Sequence, residues 1–501
     1  MPAVRTRDID ASPTFPLPGP RRTSRKLCPR RDSSSELTSL DSDDDNCHHP
    51  SLFLPSHRSQ RRASTGTSVA HLHSPEKNGQ APKATKTRSP AALAERITIQ
   101  GVTLHPTVVF DTFWRFAAER KAIDDRRRSG MPPPWTNDPI LQRYPFCNTY
   151  RVCDKLCQYI IREVVEKGSQ DPTEIVFRVI LFNTFTKIET WELLQKELGP
   201  LTWRRYNHDA YESVLAKAKE AGTTLYTGAF LKPAPHFKSL LDAHSNHLCL
   251  LEVLMECDLP GRIRNAEYLA QVFEYLVSFP SMGEFSTFQL MLNLSYSKVL
   301  NFSNFDFVIP GPGASSGLGK MFGRAKMKQA KQDAPGIEEA IIRWLAANQK
   351  QQFERLGLEP IGLGPDRLPM DLADIEHLLC EVDKYSRQAH PQFKGTRTEL
   401  RGNFTPSPGV YPSIPTLPKA WSHPARKIVR IRPGGPPVIE KRYTVSHIGA
   451  HRKGVDGGTE YKVYWEGYPD SKATWEPELS LVADTPGAVK EYLAQIQKRE
   501  K

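Results

Sequence analysis

Apolar residues at helical spacing dominate the central three hundred residues of this chain. Between residues 96 and 404 they recur every three or four positions, which is the period of a helix that buries one face. The clearest runs are Val152, Leu156, Tyr159, Ile160 and Val164, then Ile188, Trp191, Leu194 and Leu198, then Leu269, Val272, Phe273 and Leu276. The pattern predicts a mostly α-helical domain over residues 96–404.

The last sixty residues follow a different period. Tyr461, Val463 and Trp465 alternate with other positions, which is typical of a strand with one buried face. Asp456-Gly457-Gly458 predicts a turn that pairs this strand with one starting at Tyr443.

Two further elements complete this C-terminal region. Thr474-Trp475-Glu476 predicts a short third strand, and after Pro486 apolar residues return to helical spacing. Those residues are Ala488, Val489, Tyr492, Leu493 and Ile496. Residues 441–501 are therefore predicted to form a three-stranded antiparallel sheet with one helix packed against it.

Two regions lack the apolar patterning that would form a hydrophobic core. Residues 1–95 are rich in Ser, Pro and Arg and contain few large apolar residues, which predicts a disordered tail. Its basic pairs, such as Arg21-Arg22 and Arg61-Arg62, are candidate nuclear import signals. Residues 405–440 are rich in proline, and residues 386–440 hold nine Lys or Arg against two acids, so an extended basic linker is predicted there.

Composition narrows the class of protein. The chain has 501 residues, 39% of them hydrophobic, which suffices for two or three domains. A formal net charge of +12 favours a polyanionic partner, and nucleic acid is the obvious one. Eight cysteines without paired spacing predict reduced, mostly buried thiols. We expect no cofactor and no metal site. No apolar run approaches the ~20 residues of a membrane span, so no membrane association is expected.

A glycine-rich turn suggests contact with DNA. Gly311 and Gly313 would let the backbone approach a phosphate, as in the hairpin of helix-hairpin-helix proteins. Lys320, Arg324 and Lys328 would then line one face of the following helix. The alternative is a Gly-Pro turn between two helices under a solvated basic face. The spacing does not fit a P-loop, because Ala314 and Met321 occupy positions that the motif reserves for other residues, which excludes nucleoside triphosphate binding here.

A polar stripe later in this region contains the candidate catalytic residues. Asp374, His377, Glu381 and Lys384 recur at helical spacing opposite an apolar face, and Asp383 is a further candidate. A carboxylate, an imidazole and an amine on one face could perform acid–base chemistry or ligate a metal. The alternative is the solvated side of an amphipathic helix. Four other residues could position a base or a phosphate by ion pairing or stacking: Arg115, Glu119, Arg120 and Trp135.

The C-terminal strings KRYTVSHI, EYKVYWEGYPD and ATWEPE closely resemble a chromodomain. The resemblance implies a methyl-lysine cage formed by Tyr443, Trp465 and Tyr468, which would bind a methylated ammonium by cation–π attraction. It also implies a histone tail as the partner and the nucleus as the compartment. Related readers often carry acidic or amide residues where this chain has Arg442, Lys472, Ser480 and Val482, and these changes bear on affinity for a basic peptide.

The central region resembles the helical domain of phage 5-hydroxymethyluracil DNA kinases and related thymine-hypermodification proteins. The strings that carry this resemblance include FDTFWRFAAERKAI, PFCNTYRVCDK, FVIPGPGASSGLGK and DIEHLLCEVDKYSR. The resemblance implies handling of DNA with modified thymine bases by a fold akin to helix-hairpin-helix glycosylases. In that family phosphoryl transfer belongs to a P-loop partner domain, so kinase activity is not expected from these residues.

Together these features predict a multidomain nuclear chromatin protein. Its chromodomain would read a methylated lysine and its helical domain would bind DNA, within a larger complex that acts in chromatin remodelling. We favour this binding function over catalysis. The alternative is a chromodomain-targeted enzyme that modifies or excises thymine or uracil bases, and a third hypothesis is a domesticated mobile-element protein whose helical domain serves in assembly.

Overall fold

The computed structural model describes residues 95–499 with short gaps. The gaps are 229–232, 236–241, 396, 401, 407–411, 434–436, 438–444, 455–456, 466–467, 479–480 and 483–485. The predicted disordered tail at residues 1–94 lies outside the described residues, as do Tyr443, Arg442 and Ser480.

The central region is mostly α-helical, as predicted. It begins with a small antiparallel hairpin of β1 (Ile97–Ile99) and β2 (Val102–Leu104). Fourteen helices follow among the described residues: α1 (Val108–Arg128), α2 (Pro139–Arg143), α3 (Lys155–Tyr159), α4 (Pro172–Phe185), α5 (Ile188–Leu198), α6 (His208–Glu220), α7 (Ala243–Glu256), α8 (Leu259–Asn265), α9 (Leu269–Val277), α10 (Glu284–Leu294), α11 (Pro312–Phe322), α12 (Arg324–Asp333), α13 (Ile337–Arg355) and α14 (Leu372–Ala389). Their apolar faces share one hydrophobic core that runs from Ile97 to Val382.

Two of the predicted helices are divided. The run from Val152 to Val164 begins as a 3-10 turn at Arg151–Cys153, continues as α3 and ends as a π-helical segment at Ile160–Val165. The basic helix after the glycine-rich turn breaks at Gly323, whose φ of +88° favours glycine and separates α11 from α12. The predicted single basic face is therefore not continuous.

Helix α14 occupies the centre of the helical domain. It starts with a capping box, in which the side chains of Asp371 and Asp374 each accept a hydrogen bond from the other's backbone N–H. Helices α1, α11 and α13 all contact it. Helix α11 comes closest, because Gly313 lies against Cys380 and Gly317 lies against the Leu379 backbone, where a Cβ atom would overlap.

Residues 412–433, which we call the strap, lie against the helical domain instead of forming an extended linker. They contain two 3-10 turns, Lys419–Ser422 and Pro424–Lys427. The buried Arg426 guanidinium donates hydrogen bonds to the carbonyl oxygens of Ser297 and Leu300, at 3.0 and 2.8 Å. At the far end of the strap, Arg432 pairs with Glu274 at 2.7 Å. These buried partners explain why a basic, proline-rich sequence is not solvated here.

The C-terminal region has the predicted sheet and helix. Strands β3 (Val445–Lys453), β4 (Thr459–Trp465) and β5 (Thr474–Pro477) pair antiparallel in that order, and α15 (Pro486–Arg499) follows. Gly457 takes the left-handed φ of +81° that the turn before β4 requires. The small core consists of Ile448, Tyr461, Val463, Leu481 and Val489.

One residue of the last helix departs from its prediction. Leu493 is 42% exposed, whereas the helical spacing predicted that it would face the sheet. Tyr492, which the same spacing predicted, does face the small core, with its hydroxyl 3.0 Å from His451 Nδ1. Separately, in the described ranges no helix combines the length and the apolarity that a membrane crossing demands.

The contact between α11 and α14 gives a first prediction. Gly317→Ala should destabilise the helical domain by about 3 kcal/mol, because the added methyl group would force the α14 backbone away. Gly319→Ala on the same helix is the control, since its methyl group would meet the flexible Arg324 side chain at 3.2 Å and the Arg324 Cα only at an ordinary contact distance of 3.9 Å. Thermal unfolding of the full chain, followed by helical circular dichroism, measures both. Equal stability of the two variants would contradict the close backbone packing.

Candidate functional site

The polar side chains of α14 point into the protein. Asp374, His377, Glu381 and Asp383 are all buried, and only the Lys384 side chain retains slight exposure. The alternative interpretation of this stripe as a solvated helix face is therefore wrong. The reason is topological, since the opposite and lateral faces of α14 are both covered by neighbouring helices.

A distant segment, residues 147–154, provides partners for these side chains. The backbone N–H of Cys147 donates to Glu381 Oε2 at 3.1 Å, and that of Arg151 donates to Asp374 Oδ1 at 2.7 Å. On the other side, the Lys384 ammonium donates to Glu381 Oε1 at 2.8 Å. The polar centre of the helical domain is thus built from two segments more than two hundred residues apart.

Burial sets the protonation states in this centre. Burial, together with the charge of Asp371, raises the pKa of the Asp374 carboxyl well above its ordinary value. Burial lowers the pKa of His377, and the nearby charges of Arg151 and Lys384 lower it further, so His377 is neutral. A carboxyl, an imidazole and two cations thus lie together in the interior of the helical domain.

Glu376 belongs to the same helix and was missed by sequence reasoning. Its Oε1 accepts a hydrogen bond from the Gly311 backbone N–H at 2.9 Å, and burial raises its pKa from 4.5 to about 7. In the sequence Glu376 lies beside the apolar Ile375, outside the stripe that the helical spacing selected. Only the buried position of the whole helix identifies it.

Cys147, His377 and Glu381 could in principle hold a metal ion, since their ligand atoms lie within 4.8 Å of one another. His377 Nε2 has no hydrogen-bond partner in the described part of the chain and lies 3.8 Å from Asp154 Oδ2. However, the Lys384 ammonium already neutralises Glu381. A divalent ion would be repelled by this cation, so the set fits a metal poorly.

Three of the five predicted DNA-binding residues pack against other residues of the helical domain instead of facing solvent. Lys320 is 1% exposed and pairs with Asp383 at 3.1 Å. Gly311 donates to Glu376, and Gly313 packs against Cys380. These residues cannot meet a phosphate in this arrangement, because protein groups fill the space that the phosphate would take. Arg324 and Lys328 are exposed on α12.

A cavity of about 40 Å³ lies at the N-terminal end of α14. Its polar lining includes Arg151, Asp371 and Asp374, and Arg151 Nε has no hydrogen-bond partner among the described residues. Its walls combine aliphatic side chains with five aromatic residues, which are Phe288, Tyr296, Phe302, Phe307 and the strap residue Trp421. An apolar pocket with a few converging polar groups is the usual form of a small-molecule site.

The N-terminal candidates are spread over different environments. Arg120 is buried and donates to the Phe146 carbonyl oxygen at 3.0 and 3.2 Å, so it serves the core. Arg115 is exposed. Glu119 and Trp135 line an open cleft of about 620 Å³, together with Arg126 and Asp138. The sequence grouped these four residues, but the structure brings only two of them together.

At the end of β4 the structure brings together two residues of the expected methyl-lysine cage. Trp465 is half-buried, and its indole N–H donates to Thr474 Oγ1 at 3.0 Å. The Tyr468 backbone N–H donates to the Trp465 carbonyl oxygen at 3.2 Å, which holds both aromatic residues in one turn. Lys472 and Val482 are exposed, and the third expected wall, Tyr443, lies outside the described residues.

Comparison with known proteins supports both resemblances. Residues 107–395 match the family described as 5-hmdU DNA kinase, helical domain, and residues 443–495 match the Chromo (CHRromatin Organisation MOdifier) domain. A curated relative, the 5-hmdU DNA kinase of Bacillus phage SP10, is 23% identical over 322 residues, which cover 59% of this chain and 48% of the relative. The chain thus spans about half the length of that relative. No solved structure matches.

The raised pKa of Glu376 gives a prediction about pH. A carboxyl whose pKa rises from 4.5 to about 7 on folding stabilises the fold below about pH 4.5, and this contribution is lost as the pH rises through 7. The unfolding free energy of the wild type should therefore fall by about 3 kcal/mol relative to Glu376→Gln between pH 4.5 and pH 8. Denaturant titrations of both proteins across this range measure the difference.

The comparison isolates Glu376, because the opposing effect of the buried His377 is present in both proteins. Glu354→Gln on α13 is the control, since this carboxylate is exposed and pairs only loosely with Lys350, at 3.9 Å. A wild-type minus Glu376→Gln difference that stays constant with pH would rule out the raised pKa.

Proposed function

Because this chain belongs to the 5-hmdU DNA kinase helical-domain family, we propose that it modifies thymine-derived bases in DNA and is directed to chromatin by its chromo domain. The helical domain would contain the active site, and the chromo domain would bind chromatin and so determine where the reaction takes place. This proposal reverses the preference for a purely binding function that the sequence favours.

The observation that carries the proposal is the buried polar centre beside the aromatic cavity. Taking charged and titratable groups out of water costs several kcal/mol each, so a scaffold that only binds gains little from such an arrangement. Strongly shifted pKa values cluster at functional sites, where they set acids and bases for their tasks. Here Asp374, whose carboxyl pKa is raised by burial, and the cationic Arg151 both line the same cavity.

The cavity suits a base that has left the DNA helix. Aromatic walls stack on a flipped base, and polar groups then read its hydrogen-bonding edge. In our proposal the rings of Phe288, Phe302 and Trp421 enclose the base, Arg151 donates to a carbonyl or phosphate oxygen, and Asp374 supplies a proton. At about 40 Å³ the cavity holds one or two water molecules, so admission of a base requires the wall formed by Trp421 to move.

The chromo domain would recognise a methylated lysine on a histone tail in the nucleus. Trp465 and Tyr468 are adjacent at the end of β4 and, with Tyr443, would form the methyl-lysine cage. The exposed Lys472 near this site would repel basic peptide residues, which favours tails with few charges beside the mark. Arg324 and Lys328 on α12 remain available for salt-sensitive contacts with the DNA backbone.

A second candidate function is an adaptor that binds chromatin without chemistry. The small volume of the cavity favours it, because the cavity as it stands cannot admit a base. In that case the buried polar centre would serve the fold alone. The two functions differ in one result, which is whether DNA that carries 5-hydroxymethyluracil is changed.

Asp374→Asn tests the chemistry. Asparagine is close to Asp374 in size but has no acidic proton, so the variant should lose at least about a hundredfold in rate. Its amide NH2 would replace one of the two oxygens that accept from the Arg151 and Asp371 backbone N–H groups, so circular dichroism must show that the variant is folded. Nucleoside mass spectrometry of hydroxymethyluracil-containing DNA, incubated with the full chain, metal ions and ATP, measures the change. Asp366→Asn, at an exposed position, is the matched control. If the wild type alters no base, the adaptor function is correct.

Trp465→Ala tests the proposed recognition of methyl-lysine by the chromo domain. Loss of one ring face should cost about 2 kcal/mol, roughly thirty-fold in affinity, for trimethyl-lysine peptides, with little effect on unmodified ones. Calorimetry of the full chain against a panel of methylated histone peptides measures this. Trp475→Ala in the neighbouring strand is the control, since Trp475 stacks with Arg452, 4.2 Å from the ring centre. A wild type that binds no methylated peptide would refute the reader function.

A further inference from the structure

A second cluster of metal-ligating side chains lies between α6 and α7, separate from the polar centre around α14. Ligand atoms of His208, Cys249 and Glu252 all lie within 4.8 Å of one another. His208 Nδ1 is 2.7 Å from Glu252 Oε1, and its Nε2 is 3.9 Å from Glu212 Oε2. The two helices thus bring an imidazole, a thiol and the Glu252 carboxylate together, while the Glu212 carboxylate lies at the other ring nitrogen of His208.

The charge of this cluster favours a cation. In the described part of the chain neither Glu212 nor Glu252 forms an ion pair with a lysine or arginine. The nearby Lys219 is engaged with Asp242 at 2.8 Å. Two carboxylates therefore share one imidazole in a half-buried place, where their mutual repulsion is screened less than in open water. This differs from the set around Glu381, where Lys384 already supplies the positive charge.

The same residues also resemble a hydrolase triad, but the geometry argues against one. Ser245 Oγ lies 3.4 Å from His208 Nε2, as a nucleophile would. However, Ser245 is fully buried, and its hydroxyl donates to Glu212 Oε1 at 2.6 Å. No substrate can reach this oxygen, and its hydrogen is already committed. Its bond to Glu212 instead orients a carboxylate toward the cluster, as partners of metal ligands do.

We propose that His208, Cys249 and Glu252 bind a zinc-class divalent transition-metal ion, with water as the fourth ligand. Nitrogen, sulfur and oxygen donors in a set of four are the ligands that zinc prefers. The thiol and the imidazole disfavour magnesium and calcium, which select oxygen ligands. Because His208 belongs to α6 and Cys249 and Glu252 to α7, the ion joins the two helices.

Cobalt(II) provides a direct test on the full chain after it has been stripped with a chelator. One equivalent of cobalt should produce visible d–d bands and a near-ultraviolet thiolate-to-cobalt band, and one equivalent of zinc should abolish both. Zinc should also raise the melting temperature of the helical signal by at least about 3 °C, whereas magnesium should not.

Substitutions of the proposed ligands test the position of the metal site. Cys249→Ser should remove the thiolate band, and Glu252→Gln should weaken cobalt binding at least tenfold while keeping that band. Cys257→Ser, at an exposed cysteine just beyond α7, should change nothing. Loss of the band in Cys147→Ser, with retention in Cys249→Ser, would assign the ion to the α14 set and overturn the proposal. Absence of cobalt bands and of any zinc-dependent melting shift in the wild type would also overturn it.

Discussion

The buried carboxylate of Glu381 accepts hydrogen bonds from the Lys384 ammonium and from the Cys147 backbone, and the rest of the helical domain is arranged around this interaction. A buried charge is tolerable only when it is paired and hydrogen-bonded, and removal of one partner typically costs about 3–5 kcal/mol. The chain between residues 147 and 154 must therefore remain against α14. The same constraint fixes Arg151 beside Asp374, and so defines the floor of the aromatic cavity.

A similar rule governs the side of α14 that faces α11. Lys320 and Asp383 form a buried pair, and Glu376 accepts from Gly311 at the start of α11. The glycines of α11 allow this approach, since Gly313 and Gly317 bring the two backbones together. A sequence that looks like a phosphate-binding hairpin thus works as a packing motif, in which protein carboxylates take the positions that phosphates would occupy.

Periodicity correctly predicted the helices of the central domain and the sheet and helix at the C-terminus, because both patterns are local. It could not predict that α14 is covered on all sides. The polar stripe from Asp374 to Lys384 has the spacing of a solvated face, and only the distant partners Cys147 and Arg151 make it an interior. Lys320 and Arg426 were misjudged for the same reason, since their partners are remote in sequence. Amino-acid composition predicts that basic residues are solvated on average. It cannot predict which distant carbonyl oxygen a particular lysine or arginine will contact.

The strap determines how far apart the two working parts of the protein can be. Its last anchored residue, Arg432, is tied to Glu274, and strand β3 begins at Val445. Thirteen residue steps separate these points, and a fully extended chain covers about 3.3–3.6 Å per residue, so the span cannot exceed about 45 Å. That distance corresponds to roughly thirteen base pairs of DNA at 3.4 Å each. Whatever each domain binds, the linker therefore keeps the start of β3 within about 45 Å of the Arg432 anchor.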